Sequence, residues 1–434
     1  MTDALLTPQP LDLSPEFEQA LHLLENTSLS VFITGKAGTG KSTLLNYFRC
    51  HTRKKVIVLA PTGIAALNVD GMTLHSFFRL PSRPIHPSEI KAISGKRREL
   101  YQSIDTLVID EISMVRADLL DVVDRFMRLN GRDPLQPFGG VQIVFIGDLF
   151  QLPPVVTTQE EDLFKTVYPS PFFFSANVME ILDLTLISLE KIYRQQEATF
   201  TQLLNAIRHN AITANELNLL NTRHLPEFKA PELAYYITLA TTNKLAMEIN
   251  NNHLAQLTTP EHIYTGKLTG EFDAKNTPTD LELTLKVGAQ VMFVKNDSGQ
   301  RWVNGTLGRV IALFSDCIQV ETNAGDIYQV EPAKWEILKY EFDSKTARLT
   351  TNVIGSFTQY PLRLAWAMTI HKSQGKTFNN VVIELGRGAF AHGQLYVALS
   401  RCRTLDGLIL RKPIRMSDVI VDERVIHFFE RLKP

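Results

Sequence analysis

The chain has 434 residues, 44% hydrophobic and 21% charged, an ordinary globular composition with length for about two to four domains at roughly 100–200 residues each. A formal net charge of −1 excludes a global basic field, so a polyanion partner would have to meet a local patch or groove. Cys50, Cys317 and Cys402 stand far apart with no CxxC pair, which argues against a disulfide framework or zinc site and for a reducing compartment.

The opening "MTDALLTPQP" carries an acid and no basic apolar run, so it reads as a tail and not as a signal or transit peptide. "SPEFEQALHLLEN" predicts a helix with Ser14 as N-cap, Pro15 at the first helical position and an apolar face of Phe17, Ala20, Leu21 and Leu24. "LSVFITG" is a buried strand running into glycine, "STLLNYFRC" a helix, and "KKVIVLAPTG" the next strand. "TLVIDEIS" and "VQIVFIGD" repeat the pattern, with helical spacing between them through Leu120, Val123, Phe126 and Met127. Such alternation predicts an α/β fold on a parallel sheet, with the chemistry at the strand C-termini, over residues 1–183. A second α/β unit is expected at 184–283 and 354–434. Between its halves, 284–353 has short strands with Asn-Gly and Ala-Gly turns, the texture of a small antiparallel barrel or sandwich. No run is apolar for about 18 residues, so no membrane span is expected and the location is read as cytoplasmic.

"GKAGTGKST" (residues 35–43) fits G-x-x-x-x-G-K-[ST] between a strand and a helix. In that pattern Gly35, Ala37, Gly38, Thr39, Gly40 and Thr43 belong to a backbone cradle for phosphates. Lys41 would reach the β/γ-phosphates and the Ser42 hydroxyl would bind Mg²⁺. "LVIDEIS" supplies Asp110 to hold the magnesium through water and Glu111 to polarise the attacking water, so ATP and Mg²⁺ are the expected cofactors. Arg194 and Arg401, taken singly, read as surface salt-bridging residues; from an opposing domain they would instead meet transition-state charge. A second Gly-Lys-Thr, in "TIHKSQGKTF" (369–378), is no second phosphate loop: Ile370 stands where its first glycine is required.

"GDLFQLPPV", "APTGIAALNVDGMTLHSFF", "LEKIYRQ", "HKSQGKTF" and "GQLYVALSRCRTLDGL" together resemble the motifs of the PIF (petite integration frequency) helicase family, in the RecD-like branch of superfamily 1. The resemblance spans residues 19–407. It implies two RecA-like domains, a small SH3-like β insertion at 284–353, and a short wedge insertion at 79–103. The basic Lys91, Lys96, Arg97 and Arg98 lie in that wedge segment, for which a solvated face is the alternative. It further implies an ATPase moving 5′→3′ on single-stranded DNA and unwinding forked or tailed duplexes, acting as a monomer. By the same resemblance Gln19 would recognise adenine, Gln151 would sense the γ-phosphate, Gly375 would lie close to it, and Arg194 and Arg401 would be arginine fingers. Thr62, His75, Thr241, Asn243, His371, Lys372 and Ser373 fall on stretches that face DNA in relatives. Phe77, with Phe78, would be a base-stacking platform, core packing being the alternative. The length fits a minimal bacterial or phage-type core. The alternatives are a nucleic-acid clamp or translocase without strand separation, and a helicase directed to RNA or of opposite polarity.

Overall fold

A computed structural model of the chain describes residues 14–81, 83, 85–156, 158–191, 197–231, 234–274, 277–343 and 348–432. Ser14 caps the first helix, Pro15–Asn26, as its spacing predicts, and Phe17, Ala20 and Leu24 turn inward. Six strands follow: β1 (Ser30–Gly35), β2 (Val56–Ala60), β3 (Met72–Thr73), β4 (Thr106–Ile109), β5 (Gln142–Gly147) and β6 (Leu184–Leu189). They form one sheet in the order β3-β2-β4-β5-β1-β6, parallel throughout. β1, β4 and β5 are buried along their whole length, as a parallel sheet covered on both faces requires. One face packs Val31, Ile33, Val144 and Ile146 against the helix Lys41–His51 and the first helix. The other packs Phe32, Leu107 and Phe145 against the helix Ala117–Asn130, which buries Leu120, Val123, Phe126 and Met127.

The expected boundary at 183 is corrected by β6. It pairs with β1 from Ser30↔Leu184 to Gly35↔Leu189, so the first domain extends at least to Leu189. Without this partner, the strand that feeds the phosphate loop would be an edge with unpaired backbone groups. Within 79–103, a short turn at Pro87–Glu89 leads to the helix Lys96–Ser103. Its Leu100 and Tyr101 enter the core, while Lys91, Lys96 and Arg98 stay exposed.

β7 (Ile237–Ala240) opens a second sheet and is followed by a β module. Its strands are β8 (Glu261–Thr265), β9 (Lys267–Gly270), β10 (Glu282–Lys286), β11 (Gln290–Phe293), β12 (Leu307–Leu313), β13 (Ile318–Thr322), β14 (Ile327–Val330), β15 (Ala333–Asp343), β16 (Arg348–Gln359) and β17 (Leu362–Leu364). All pair antiparallel, in sheets ordered β10-β8, β14-β13-β12-β11-β17 and β15-β16-β9. The module has a core of its own, with Leu285, Val291, Phe293, Trp302, Val310 and Val320. Because β8 pairs with β10 and β17 with β11, the module runs from Glu261 to Leu364, wider at both ends than the expected 284–353. The chain then completes the second sheet with β18 (Ala367–Thr369), β19 (Val381–Glu384) and β20 (Leu408–Leu410), in the parallel order β18-β7-β19-β20.

Candidate nucleotide cleft and nucleic-acid interface

The phosphate loop joins β1 to the helix Lys41–His51. Gly38 (φ 85°) and Gly40 (φ 86°) take the left-handed backbone that turns successive N–H groups to one side. A side chain at Gly35 would meet Thr39 Oγ1 at 2.5 Å and the Leu189 carbonyl at 2.7 Å, so the loop closes only over glycine. Lys41 Nζ lies inside the loop, donating to the carbonyls of Gly35 (2.7 Å) and Lys36 (3.0 Å). Burial holds its pKa below the ordinary lysine range, against the pull of Asp148 and Glu111. Ser42 and Thr43 are exposed on the first turn of the helix.

Asp110 and Glu111 end β4. Burial, then the Glu111 carboxylate, push Asp110 up to about 7. Glu111 sits at φ 50°, a left-handed conformation costly for a side-chain-bearing residue and characteristic of functional sites. Behind them stands Asp148, at the end of β5 and 1% exposed. Its Oδ1 accepts from Arg208 Nη2 at 3.0 Å, and its Oδ2 accepts from Gln151 Nε2 and Tyr396 Oη, each at 3.3 Å. Burial alone would raise Asp148, but Arg208 and Lys41 overcome it and hold the carboxyl below its usual range.

Ser42, Asp110 and Glu111 share a cleft of about 860 Å³ with Lys372, Gln374, Gly375 and Lys376 of the second domain. Gln151, buried at the end of the β5 loop, accepts from Gln374 Nε2 at 3.4 Å, tying the acid-bearing domain to the His371–Ser373 turn. Gly375 takes φ 76° with open space where a side chain would stand. Lys376 Nζ donates to Asn304 Oδ1 in the β module, and Asn304 Nδ2 donates to Asn68 Oδ1 at 3.2 Å, so the second Gly-Lys-Thr joins three parts of the molecule. Arg401 is 1% exposed; its Nη1 donates to the carbonyls of Ser373 (3.3 Å) and Lys376 (3.2 Å). The surface salt-bridge reading of Arg401 is therefore overturned: in this arrangement it braces the 371–376 loop. Arg194 lies outside the described residues. Gln19 is exposed on the first helix.

The residues expected on nucleic acid divide. Thr62 accepts from Ala65 N (3.2 Å) as N-cap of the helix Gly63–Asn68, at the C-terminal end of β2. Asn243 begins the helix Asn243–Gln256 after β7 and is exposed, but the cap is Thr242; Thr241 itself is buried. His75, His371 and Lys372 are partly exposed, and burial lowers the pKa of each. Two expectations fail besides that for Thr241. Ser373 is fully buried, its hydroxyl donating to the Ile370 carbonyl at 2.7 Å, so it presents nothing to a phosphate. Phe77 is 5% exposed and meets Phe78, Tyr101 and Tyr340 edge-on at 4.9, 5.3 and 6.1 Å. It is core, because a base stacked on it would have to displace that cluster.

Family models match this chain in three places: a PIF1-like helicase over residues 14–218, the 2B domain of DNA helicase Pif1 over 268–313, and a UvrD-like helicase C-terminal domain over 364–409. A curated relative, the ATP-dependent DNA helicase Pif1 of Bdellovibrio bacteriovorus, is 32% identical across 100% of this chain and 95% of its own. The chain belongs to the PIF1-like helicase family. Among solved structures, Bacteroides sp Pif1 in complex with ADP-AlF4 superposes with a TM-score of 0.89 at 40% identity, covering 96% of both chains. Bacteroides Pif1 bound to ssDNA gives 0.71 at the same identity and coverage, and a forked-dsDNA structure titled for two coordinating Pif1 helicases also gives 0.71. The two parallel sheets of this PIF1-like helicase thus match two RecA-like domains.

Asp148, Arg208, Thr242 and Tyr396 join the site without having been expected from the sequence. Asp148 was legible in principle, since it ends an apolar strand as Asp110 does. Thr242 could have been found by matching "ATTN" after β7 to "APTG" after β2. Arg208 and Tyr396 carried no local mark: their partner lies 60 and 248 residues away.

Proposed function

We propose that this PIF1-like helicase is an ATP-driven motor that moves 5′→3′ along single-stranded DNA and separates forked or tailed duplexes, turning over one ATP between its two domains. The observation that carries the reading is the continuity of the cleft. Ser42, Asp110 and Glu111 line the same space as Gly375 and Lys372, and Gln151 is hydrogen-bonded to the Gln374 of that loop. Occupancy at the phosphate loop can therefore bias the turn that carries His371 and Lys372, which is what coupling ATP to a track requires.

In this reading Lys41 grips the β/γ-phosphates, Glu111 orients the attacking water, Gln151 reports the γ-phosphate, and Arg401 fixes the loop that carries Gly375. Arg194 and Arg401 keep their proposed roles at the transition state, and Gln19 its role at the adenine. Mg²⁺ fits the donor set: Ser42 presents an exposed hydroxyl, and the Asp110 carboxylate is disfavoured by burial and then by the neighbouring Glu111, a cost that a divalent cation would relieve. When bound, Mg²⁺ would neutralise charge on the β- and γ-phosphates. The DNA backbone is met by two strand-to-helix junctions, one per domain, at Thr62 and at Thr242–Asn243, together with His75, His371 and Lys372; hydroxyls and helix N-termini grip phosphate without reading sequence. The exposed Lys91, Lys96 and Arg98 are assigned to strand separation, and a single copy to the working unit.

Glu111→Gln tests the site. The variant is expected to bind ATP and single-stranded DNA like the wild type while DNA-stimulated hydrolysis falls at least about a hundredfold, the range of general-base loss. Near-normal turnover would remove Glu111 from the reaction.

A further inference from the structure

Tyr396 crosses between the domains at a point the expected motif roles leave unexplained. It lies on the helix Gln394–Leu399 of the second domain, yet its phenol oxygen accepts the backbone N–H of Ala37 in the phosphate loop at 3.2 Å. The same hydroxyl donates to Asp148 Oδ2 at 3.3 Å, and Asp148 Oδ1 holds Arg208 at 3.0 Å. The placement is built in. His392 Nε2 donates to the Leu149 carbonyl at 2.7 Å while its Nδ1 accepts from Asp422 N at 2.8 Å. At Gly393 (φ 68°) a Cβ would lie 2.3 Å from the Phe150 carbonyl, so this helix can approach the 148–151 loop only through glycine. Burial and the Asp148 charge raise the Tyr396 pKa well above the phenol range, so the hydroxyl remains a donor.

The backbone N–H groups of a phosphate loop and of the helix it opens are the donors that nucleotide phosphates use, and Ala37 N–H is one of them, here given to the phenol of Tyr396. We propose that the Tyr396 hydroxyl competes with the terminal phosphate of ATP for the Ala37 N–H. Tyr396 is thereby a positioning residue that sets the preference between triphosphate and diphosphate and passes the arrival of the phosphate to the Asp148–Arg208 pair. A phosphate oxygen on Ala37 N–H frees the phenol; the phenol then keeps only its bond to Asp148, and the contact between the helix Gln394–Leu399 and the phosphate loop is released. A diphosphate leaves Ala37 to the tyrosine. The proposal rests on the ATP reading of the cleft.

The test compares wild type, Tyr396→Phe and Tyr396→Leu as full chains, measuring by calorimetry the Kd for ADP and for the non-hydrolysable triphosphate adenylyl imidodiphosphate. Tyr396→Phe keeps the ring and removes the hydroxyl, and with it both the competitor for Ala37 and the donor to Asp148; the second loss bears on both nucleotides alike, so triphosphate affinity should rise relative to ADP about two- to tenfold, the range of one net hydrogen bond. Tyr396→Leu should show the same change in the ratio of the two constants. Equal shifts for both nucleotides, a triphosphate weakened relative to ADP, or a change confined to the leucine variant would each overturn the proposal. Wild-type chain that binds neither nucleotide would instead refute the ATP reading beneath it.

Discussion

Lys376 offers a test in which the structure sets both sign and size. Burial, then the neighbouring Arg363, pull its amine from the ordinary 10.5 down to about 8. The unfolded chain therefore holds a proton on this lysine between pH 8 and 10.5 that the folded chain has lost. Stability contributed by the site rises with pH through that window, and below pH 8 the fold bears the whole cost of the charge. A shift of about 2.5 units corresponds to about 3 kcal/mol at 1.36 kcal/mol per unit. Lys376→Met removes that cost and also the bond to Asn304, worth about 1 kcal/mol, so a net stabilisation of about 2 kcal/mol is expected at pH 7. The gain should shrink as the pH rises and give way, near 10.5, to a loss of about 1 kcal/mol from the missing bond to Asn304. NMR of ¹³C-lysine-labelled chain would follow the titration directly, and urea midpoints from pH 7 to 10 would follow the stability. A Lys376 signal titrating near 10.5, or variant and wild-type stabilities running parallel with pH, would show that the fold imposes no such cost on the lysine charge.

Phe77→Ala should cost about 3–5 kcal/mol of stability, as for other buried phenylalanines, and leave the DNA affinity of the folded fraction intact; selective loss of DNA binding in urea-resistant protein would restore the stacking role. Asp148→Asn and Arg208→Gln should each cost about 3–5 kcal/mol, because each strands a buried charge. The double variant should cost less than the sum by at least about 1 kcal/mol in denaturant unfolding, and strict additivity would deny the pair. DNA affinity should fall with salt at a slope of about −0.7 per phosphate neutralised, and Lys372→Ala should reduce the slope by about one such contact in fluorescence titrations. A flat salt response would remove the phosphate-tracking groove.

The phosphate loop and the acidic strand end were legible because their residues answer local demands, whereas Arg208 and Tyr396 were not, their partner Asp148 being distant in sequence. Gly38 and Gly40 occupy left-handed backbone, Gly35 has no room for a Cβ, and Asp110–Glu111 ends a wholly apolar strand. The domain limits were less so. β6 belongs to the first sheet only through its register with β1, some 150 residues earlier, and nothing within "LTLISL" states which sheet it joins. β8 and β9 are mostly exposed, "EHIYT" and "KLTG", without the apolar alternation that announces a strand. Phe77 and Phe78 stood on a helix too short for periodicity to separate core from surface. Ser373 and Lys376 exchanged significance for a similar reason: burial, set by Arg401 and Asn304 from distant segments, made the serine a buried brace and the lysine a joint.

In the proposed function, ATP turnover moves this chain in one direction along single-stranded DNA and parts the duplex ahead. Unwinding of otherwise identical duplexes carrying either a 5′ or a 3′ single-stranded tail, with ATP and Mg²⁺, measures it directly. Strand separation is expected on the 5′-tailed duplex alone, and none with Glu111→Gln. Separation on the 3′-tailed duplex, or robust ATPase with no separation on either, would contradict it.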